Sequence, residues 1–295
     1  MSFRTNYTVN LLKNKAAHYF NPKTIAKIFY KPHKIPGSIA NFVREFKVGF
    51  TDVKLKSPEI AQLLSITKTS VSALASLAAA QNGQPLKEQT IEEIFGADVA
   101  QNSDCMELGA LFNKYGSDKA ANHNYYLAYA SILASKKTAS FNFLEVGLGT
   151  NNIDVESNMG IYGKPGASLR AFRDMYKNAQ IYGADIDERI LFTEDRIQTF
   201  FVDQTKPEVL QSFKDKLQPL KFDLIIDDGL HNSQANLNTM NFALDLLKDD
   251  GVFIIEDINN DDYNYYQVAA ALLKDKYALQ YVKTKSAHIC IIKKK

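Results

Sequence analysis

From about residue 122 onward the chain alternates between short apolar runs and stretches with helical spacing. Residues 141–146, 180–184, 199–202, 222–226 and 251–255 read as strands, because each run is short, mostly apolar and bounded by turn residues. Between them, residues 125–134, 168–176, 207–216, 233–247 and 263–273 repeat apolar positions at three- and four-residue intervals and read as helices. Residues 189–196 read as a short helix. Two late runs, 278–282 and 288–292, predict a closing hairpin. Strands alternating with helices imply an α/β fold, a parallel sheet with helices on both faces.

The first third is patterned differently. Residues 1–56 read as irregular or short-helical, broken at Pro22, Pro32 and Pro36-Gly37. Ser57-Pro58-Glu59 is a helix start, with a capping hydroxyl and proline at the first helical position. Ile60, Leu63, Leu64, Val71, Leu74 and Leu77 then follow helical spacing, up to a break at 81–85. Further helices are expected near 89–95 and 104–115. Residues 1–100 thus read as a mainly helical, basic N-terminal region, and 101–295 as the α/β domain.

Charge sharpens this division. Residues 1–60 hold eleven Lys/Arg and three Asp/Glu, while the remainder holds 24 and 30. The basic segment is either a solvated surface or a contact for an anionic partner, such as a membrane surface, a nucleotide-linked substrate or an acidic face of another subunit. No aromatic-basic recognition motif points to nucleic acid. No unbroken run of 18 apolar residues exists, so no membrane span is expected, and the N-terminus lacks the apolar stretch of a signal peptide. Two cysteines make no disulfide framework, which suits a reducing cytoplasm.

The chemistry gathers at the strand ends. Residues 143–150 are a strand entering a turn with Gly147 and Gly149, where missing side chains let backbone approach a ligand. Asp185 ends the next strand, where an acid can bind ribose hydroxyls, and Asp203-Gln204 ends the third, suited to an adenine. The turn lacks the third glycine of a tight dinucleotide site and continues through a long segment to Gly166. That favours S-adenosylmethionine over a nicotinamide dinucleotide, with Glu145 available to the cofactor's cationic end. The segment 151–166 is long and polar enough for a lid. The fourth strand ends in Asp227-Asp228-Gly229-Leu230-His231 and the fifth in Glu256-Asp257. Asp228, Glu256 and Asp257 at one edge would repel one another without a cation, and an all-oxygen set suits Mg²⁺ or another hard divalent ion. Asp227 reads as support or a helix cap. His231 is placed to act as a general base, since histidine changes charge near neutral pH.

The ordered motifs 115–119 (Tyr-Gly-Ser-Asp-Lys), His123-x-Tyr125-x-x-x-Tyr129, 144–147 (Leu-Glu-Val-Gly) and 166–170 (Gly-Ala-Ser-Leu-Arg) continue through 182–187 (Tyr-Gly-Ala-Asp-Ile-Asp), Asp203-Gln204, 226–231 and 255–257. Over residues 108–258 the chain resembles class I S-adenosylmethionine-dependent methyltransferases. More narrowly, it resembles the metal-dependent sugar O-methyltransferases of macrolide and tetracenomycin tailoring, and the related cephalosporin-hydroxylase-like group. The first 100 residues share no such motif. The resemblance implies a Rossmann-like class I methyltransferase sheet. It implies Tyr115, Ser117, Lys119, Glu145, Gly147, Gly149, Ser168, Asp185, Asp203, Gln204 and Asp227 around the cofactor, Mg²⁺ on Asp228, Glu256 and Asp257, and His231 as base. Two positions depart from the family pattern: Ser117 stands for threonine and Leu230 for serine.

The expected reaction is Mg²⁺-dependent methylation of a hydroxyl on a sugar, a glycosylated metabolite or a surface-polysaccharide precursor. Residues 259–266 can shape an acceptor pocket, with tyrosines for a sugar, or cap a helix. An added N-terminal region suggests a homo-oligomer. The competing readings are an NAD-dependent oxidoreductase on the same type of sheet and a non-catalytic methyltransferase-like scaffold. An iron-dependent hydroxylase would want a second histidine at the same edge.

Overall fold

Alternation inside each buried run decides which residues a strand gives to each side of the sheet. In β2 (Phe141–Val146), Phe141 and Phe143 join one apolar cluster while Leu144 and Val146 join the other. In β6 (Phe222–Asp227), Leu224 and Ile226 face one way and Ile225 the other. β7 (Leu247–Ile258) divides Val252 and Ile254 from Phe253 and Ile255 in the same manner. A sheet apolar on both faces must be covered on both, and helices do so here.

The computed structural model describes residues 57–295. The irregular segment expected over 1–56, with its proline breaks and most of its basic charge, lies outside the described residues, as do the side chains of 57–61. Thr67–Lys295 form one compact unit.

One face is covered by α3 (Ser103–Tyr115), α5 (Tyr125–Ile132) and α6 (Ala167–Met175), through Leu108, Phe112, Tyr125, Tyr129, Leu169 and Phe172. The four-residue α4 (Asp118–Ala121) links the first two of these. The other face packs against α7 (Pro207–Leu217), α8 (Ser233–Leu246) and α9 (Tyr263–Leu273), through Leu210, Phe213, Met240, Phe242 and Tyr266.

The remaining strands are β1 (Glu88–Thr90), β3 (Ala179–Asp185), β4 (Thr193–Glu194), β5 (Ile197–Phe201), β8 (Tyr277–Lys283) and β9 (His288–Lys294). Among the described residues they make a nine-stranded sheet ordered β1-β8-β9-β7-β6-β2-β3-β5-β4. β2, β3, β5, β6 and β7 run parallel, and β9 enters antiparallel between β7 and β8, closing the expected hairpin.

Three local expectations change. Residues 189–196 are no α-helix: a 3₁₀ turn over Glu188–Ile190 leads into β4, which pairs antiparallel with β5. The Thr199 hydroxyl accepts from Phe192 N and donates to Phe192 O, and Arg196 takes the left-handed region at φ 59°, which fixes the reversal. The helix expected near 89–95 is confined to α2 (Ile91–Phe95), because Thr90 closes a capping box with Glu93 and the residues before it pair with β8. Third, the long helix α1 (Ser57–Asn82) contains a stretch, Gln62–Asn82, of mean hydropathy 1.4 with 11% of it buried. By length and composition it can cross a membrane, a property hidden from a search for unbroken apolar runs by its Ser, Thr and Lys68 residues. A core helix or a signal sequence passes the same measure, so this alone assigns no membrane role. Ala75 and Ala78 of α1 are buried, and Gln267 Nε2 donates to Ala75 O at 2.6 Å.

Phe172 ties the first helical layer to the sheet. Its ring lies 4.4 Å from that of Phe143 and 5.4 Å from that of Phe112, and the residue is 1% exposed. Phe172→Ala is expected to remove about 3–5 kcal/mol of stability. Urea denaturation should show this as a lower midpoint at unchanged slope; an unchanged midpoint would contradict the packing.

Candidate active site

The carboxyl ends of β2, β3 and β6 meet at Gly147. Gly147 N donates to Ala184 O at 2.7 Å, and Asp228 N donates to Val146 O at 2.8 Å. Gly147 has φ +99°, and a Cβ there would lie 2.1 Å from the carbonyl oxygen of Asp228. Only glycine permits this backbone approach. Asp185 is buried and braces the turn: Oδ2 accepts from Leu148 N at 2.7 Å and Oδ1 from Asp187 N at 2.9 Å. Beside the turn opens a small, solvent-open cleft. Its walls include Ser117, Lys119, Gly147, Gly149, Ser168 and Asp228, six of the residues expected at the site. Met159, from the segment expected as a lid, packs over Gly149 and also lines the cleft. That segment is pinned at its start, where the side chains of Thr150 and Asn152 donate to Asp187 and Asp154 pairs with Arg189.

The strand alternation that builds the core also buries charge. Glu145 follows Phe143 by two residues, and Glu256 follows Ile254 by two, so both carboxylates face the α3–α6 side. Lys119 meets them there. Its Nζ lies 2.6 Å from Asp228 Oδ2, 2.7 and 2.8 Å from the two Glu256 oxygens, and 3.1 Å from Glu145 Oε1. Glu145, Glu256 and Lys119 are at most 2% exposed. Tyr129 Oη donates to Glu256 and Ser168 Oγ to Glu145. Burial works against the Lys119 ammonium, but Asp228, Glu256 and Glu145 overcome it and hold its pKa well above the usual lysine range. Burial, followed by the charge of Asp228, pushes Glu256 up against the pull of Lys119.

Asp257, although adjacent to Glu256, faces elsewhere. The β7–β9 register shifts between Ile255 and Ile258, and Asp257 adopts φ +50°. Its carboxylate turns to the solvent side, where Tyr125 Oη donates to Oδ1 at 2.5 Å and His123 Nδ1 lies 3.7 Å from the same oxygen. His231, at φ +55°, places Nε2 3.8 Å from both Asp257 Oδ2 and Asp228 Oδ1. Positive φ on two non-glycine residues of one cluster is the kind of strain that collects at functional sites. Burial raises Asp257, but the histidines 231 and 123 and the Tyr125 hydrogen bond prevail and keep its carboxyl below the usual range. The expected trio of Asp228, Glu256 and Asp257 therefore reaches one edge but divides. Asp228, His231 and Asp257 bring ligand atoms within 4.8 Å of one another, and so do Glu145, Asp228 and Glu256. Asp228 belongs to both groups.

Other expected residues lie outside the walls of the cleft. Gln204 Nε2 donates to Asp227 Oδ1 at 2.5 Å and to Thr239 Oγ1 at 2.8 Å, and its Oε1 accepts from Leu230 N at 2.9 Å. Asn236 Nδ2 donates to Asp227 Oδ2 at 3.0 Å. Asp227 and Gln204 thus brace the turn that carries Asp228 and His231. Asp203 accepts from Thr205 and pairs with Lys206, and Tyr115 Oη donates to Asp174 on α6. After Asp257, Tyr263 donates to Leu86 O and Tyr266 is buried in the core, while Tyr265 stays partly exposed. Sequence reading gave no role to His123, Tyr125 or Tyr129. The four-residue spacing of the two tyrosines on α5 is the signal that places both toward the acids.

Residues 163–291 match a family described as a methyltransferase domain. That stretch of the chain is thus similar to a methyltransferase domain. Over 179 residues the chain is 28% identical to 8-demethyl-8-alpha-L-rhamnosyl tetracenomycin-C 2'-O-methyltransferase of Streptomyces olivaceus, covering 61% of this chain and 44% of that protein. Over 108 residues it is 35% identical to mycinamicin VI 2''-O-methyltransferase of Micromonospora griseorubida, covering 35% and 26%. Among solved structures, the methyltransferase MycE of mycinamycin biosynthesis, in complex with Mg and SAH, shares the fold with a TM-score of 0.50. There the identity is 22%, over 64% of this chain and 54% of that one. The chain spans less than half the length of the sequence relatives it matches. The resemblance read from the motifs is borne out, and so is the Rossmann-like fold.

A methyl group at position 147 tests the glycine turn. Gly147→Ala should cost about 1–3 kcal/mol through overpacking against Asp228. Calorimetric binding of S-adenosylhomocysteine should weaken by about tenfold or more, equivalent to about 1.4 kcal/mol. Wild-type affinity would show that the turn does not form the cofactor's seat.

Proposed function

We propose that the domain is a divalent-metal-dependent O-methyltransferase. It moves the methyl group of S-adenosylmethionine to a hydroxyl of a sugar or glycosylated metabolite. One observation carries this reading: Asp228 is at once a wall of the glycine-turn cleft and a member of the Asp228–His231–Asp257 cluster. A methyl donor in the cleft and a hydroxyl at the cluster would then be neighbours. The relatives named above are sugar O-methyltransferases, which supports the acceptor class.

The residues fit both groups. The bare backbone at Gly147, with Ser117 and Ser168 in the cleft wall, suits a cofactor without phosphates. Asp228 and Asp257 offer hard carboxylate oxygens of the kind Mg²⁺ prefers. S-adenosylmethionine supplies an activated methyl group, and a divalent cation supplies positive charge that makes a bound hydroxyl more acidic.

The chain's own residues do the rest. His231 Nε2 takes the proton that the acceptor hydroxyl loses as its oxygen gains the methyl group. Asp228 and Asp257, each 3.8 Å from that nitrogen, stabilise the imidazolium so formed. Tyr125 holds Asp257 in place through its hydroxyl. Asp227 and Gln204 keep the 228–231 turn from relaxing, so the base and the carboxylate stay in fixed relation.

His231→Ala should lower the turnover of methyl transfer to a sugar acceptor by about 10²–10⁴. S-adenosylhomocysteine binding should change little. Excess EDTA should abolish transfer and added Mg²⁺ restore it. Near wild-type turnover in the variant would remove His231 as base, and full activity in EDTA would remove the metal.

A further inference from the structure

We infer that Lys119 is a built-in cation that competes with a divalent ion for Asp228 and Glu256, and so sets the metal affinity of the acid cluster. This rests on the metal-dependent reading above and adds a residue that tunes it.

The geometry is that of an occupied cation site. The Lys119 ammonium touches one oxygen of Asp228, both oxygens of Glu256 and one of Glu145, all within 3.1 Å. Among the described residues it is the one Lys or Arg side chain within 4.0 Å of any of these three acids. Glu145 and Glu256 are sealed from solvent, so their charge is compensated inside the fold or not at all. The two possible ligand groups, Asp228–His231–Asp257 and Glu145–Asp228–Glu256, share Asp228, and the lysine sits in the second. An incoming ion on Asp228 therefore meets a carboxylate already paired, with a positive charge 2.6 Å beyond it. Glu256 is available to such an ion only as Lys119 withdraws. A lysine suits this exchange: its ammonium is a point charge on a flexible stem, where a guanidinium would lock two oxygens in a rigid fork.

Two consequences follow. The acid cluster keeps its shape without metal, because the lysine holds it. Removing the charge while keeping the stem's bulk should free Asp228 and Glu256 for the ion. In Lys119→Met, Mn²⁺ binding to the full chain, read from the free Mn²⁺ paramagnetic resonance signal, should be at least tenfold tighter than in wild type. The variant's melting temperature, lowered in EDTA, should rise on Mn²⁺ addition by more than that of wild type. Equal or weaker Mn²⁺ binding by folded Lys119→Met overturns the inference. If that variant stays unfolded with Mn²⁺ present, the double variant Lys119→Met/Glu145→Gln, which removes one charge of each sign, takes the same measurement: tighter binding supports the inference and unchanged binding overturns it. Mn²⁺ binding by neither wild type nor variant instead removes the metal-dependent reading itself.

Discussion

An unpaired buried carboxylate is costly enough to unfold a domain of ordinary stability, and one edge of this sheet buries Glu145, Asp227 and Glu256 completely. How those charges are compensated determines the rest of the site. Glu145 and Glu256 share the ammonium of Lys119, which arrives from the short link between α3 and α5. With the Tyr129 and Ser168 hydrogen bonds, that contact fastens the helical cover to the sheet edge, and Lys119 lines one side of the cleft.

Asp227 is treated differently. Its partners are the neutral amides of Gln204 and Asn236 and the backbone N–H of Gly229, and burial pushes its carboxyl up despite them. Held by these neutral donors, Asp227 serves as a rigid post for Asp228 and His231. The acids thus divide by environment. Those facing Lys119 are held by charge, Asp227 is held by amides, and Asp228 and Asp257 retain solvent contact where a substrate and an ion can reach them. Identical side-chain chemistry takes three roles because alternation along the strands and one bulge in β7 send neighbouring residues to different surroundings.

Much of this was legible in the sequence, for identifiable reasons. Buried parallel strands are nearly continuous apolar runs, so β2, β6 and β7 stand out, and carboxylates at their ends are conspicuous. β1 was missed because Glu-Gln-Thr carries no apolar signal and only its pairing with β8 makes it a strand. The 189–196 segment misled because the Thr199 hydroxyl, just beyond it, decides its course. Within the site, the glycine turn and Asp228 were readable from their spacing. The separation of Glu256 from Asp257 was not, since it depends on a register shift and a left-handed backbone that no residue type announces. Nor could the sequence show that Gln204 braces the 228–231 turn, because the bonds that hold it come from that turn and from α8.

The central claim is that one sheet edge seats a methyl donor beside a metal-binding acid pair. Crystals grown with S-adenosylhomocysteine and Mn²⁺, with anomalous scattering recorded at the manganese edge, test it most directly. The account predicts one manganese peak at Asp228 and Asp257 and S-adenosylhomocysteine beside Gly147. Manganese absent from that edge, or S-adenosylhomocysteine bound away from Gly147, would contradict it.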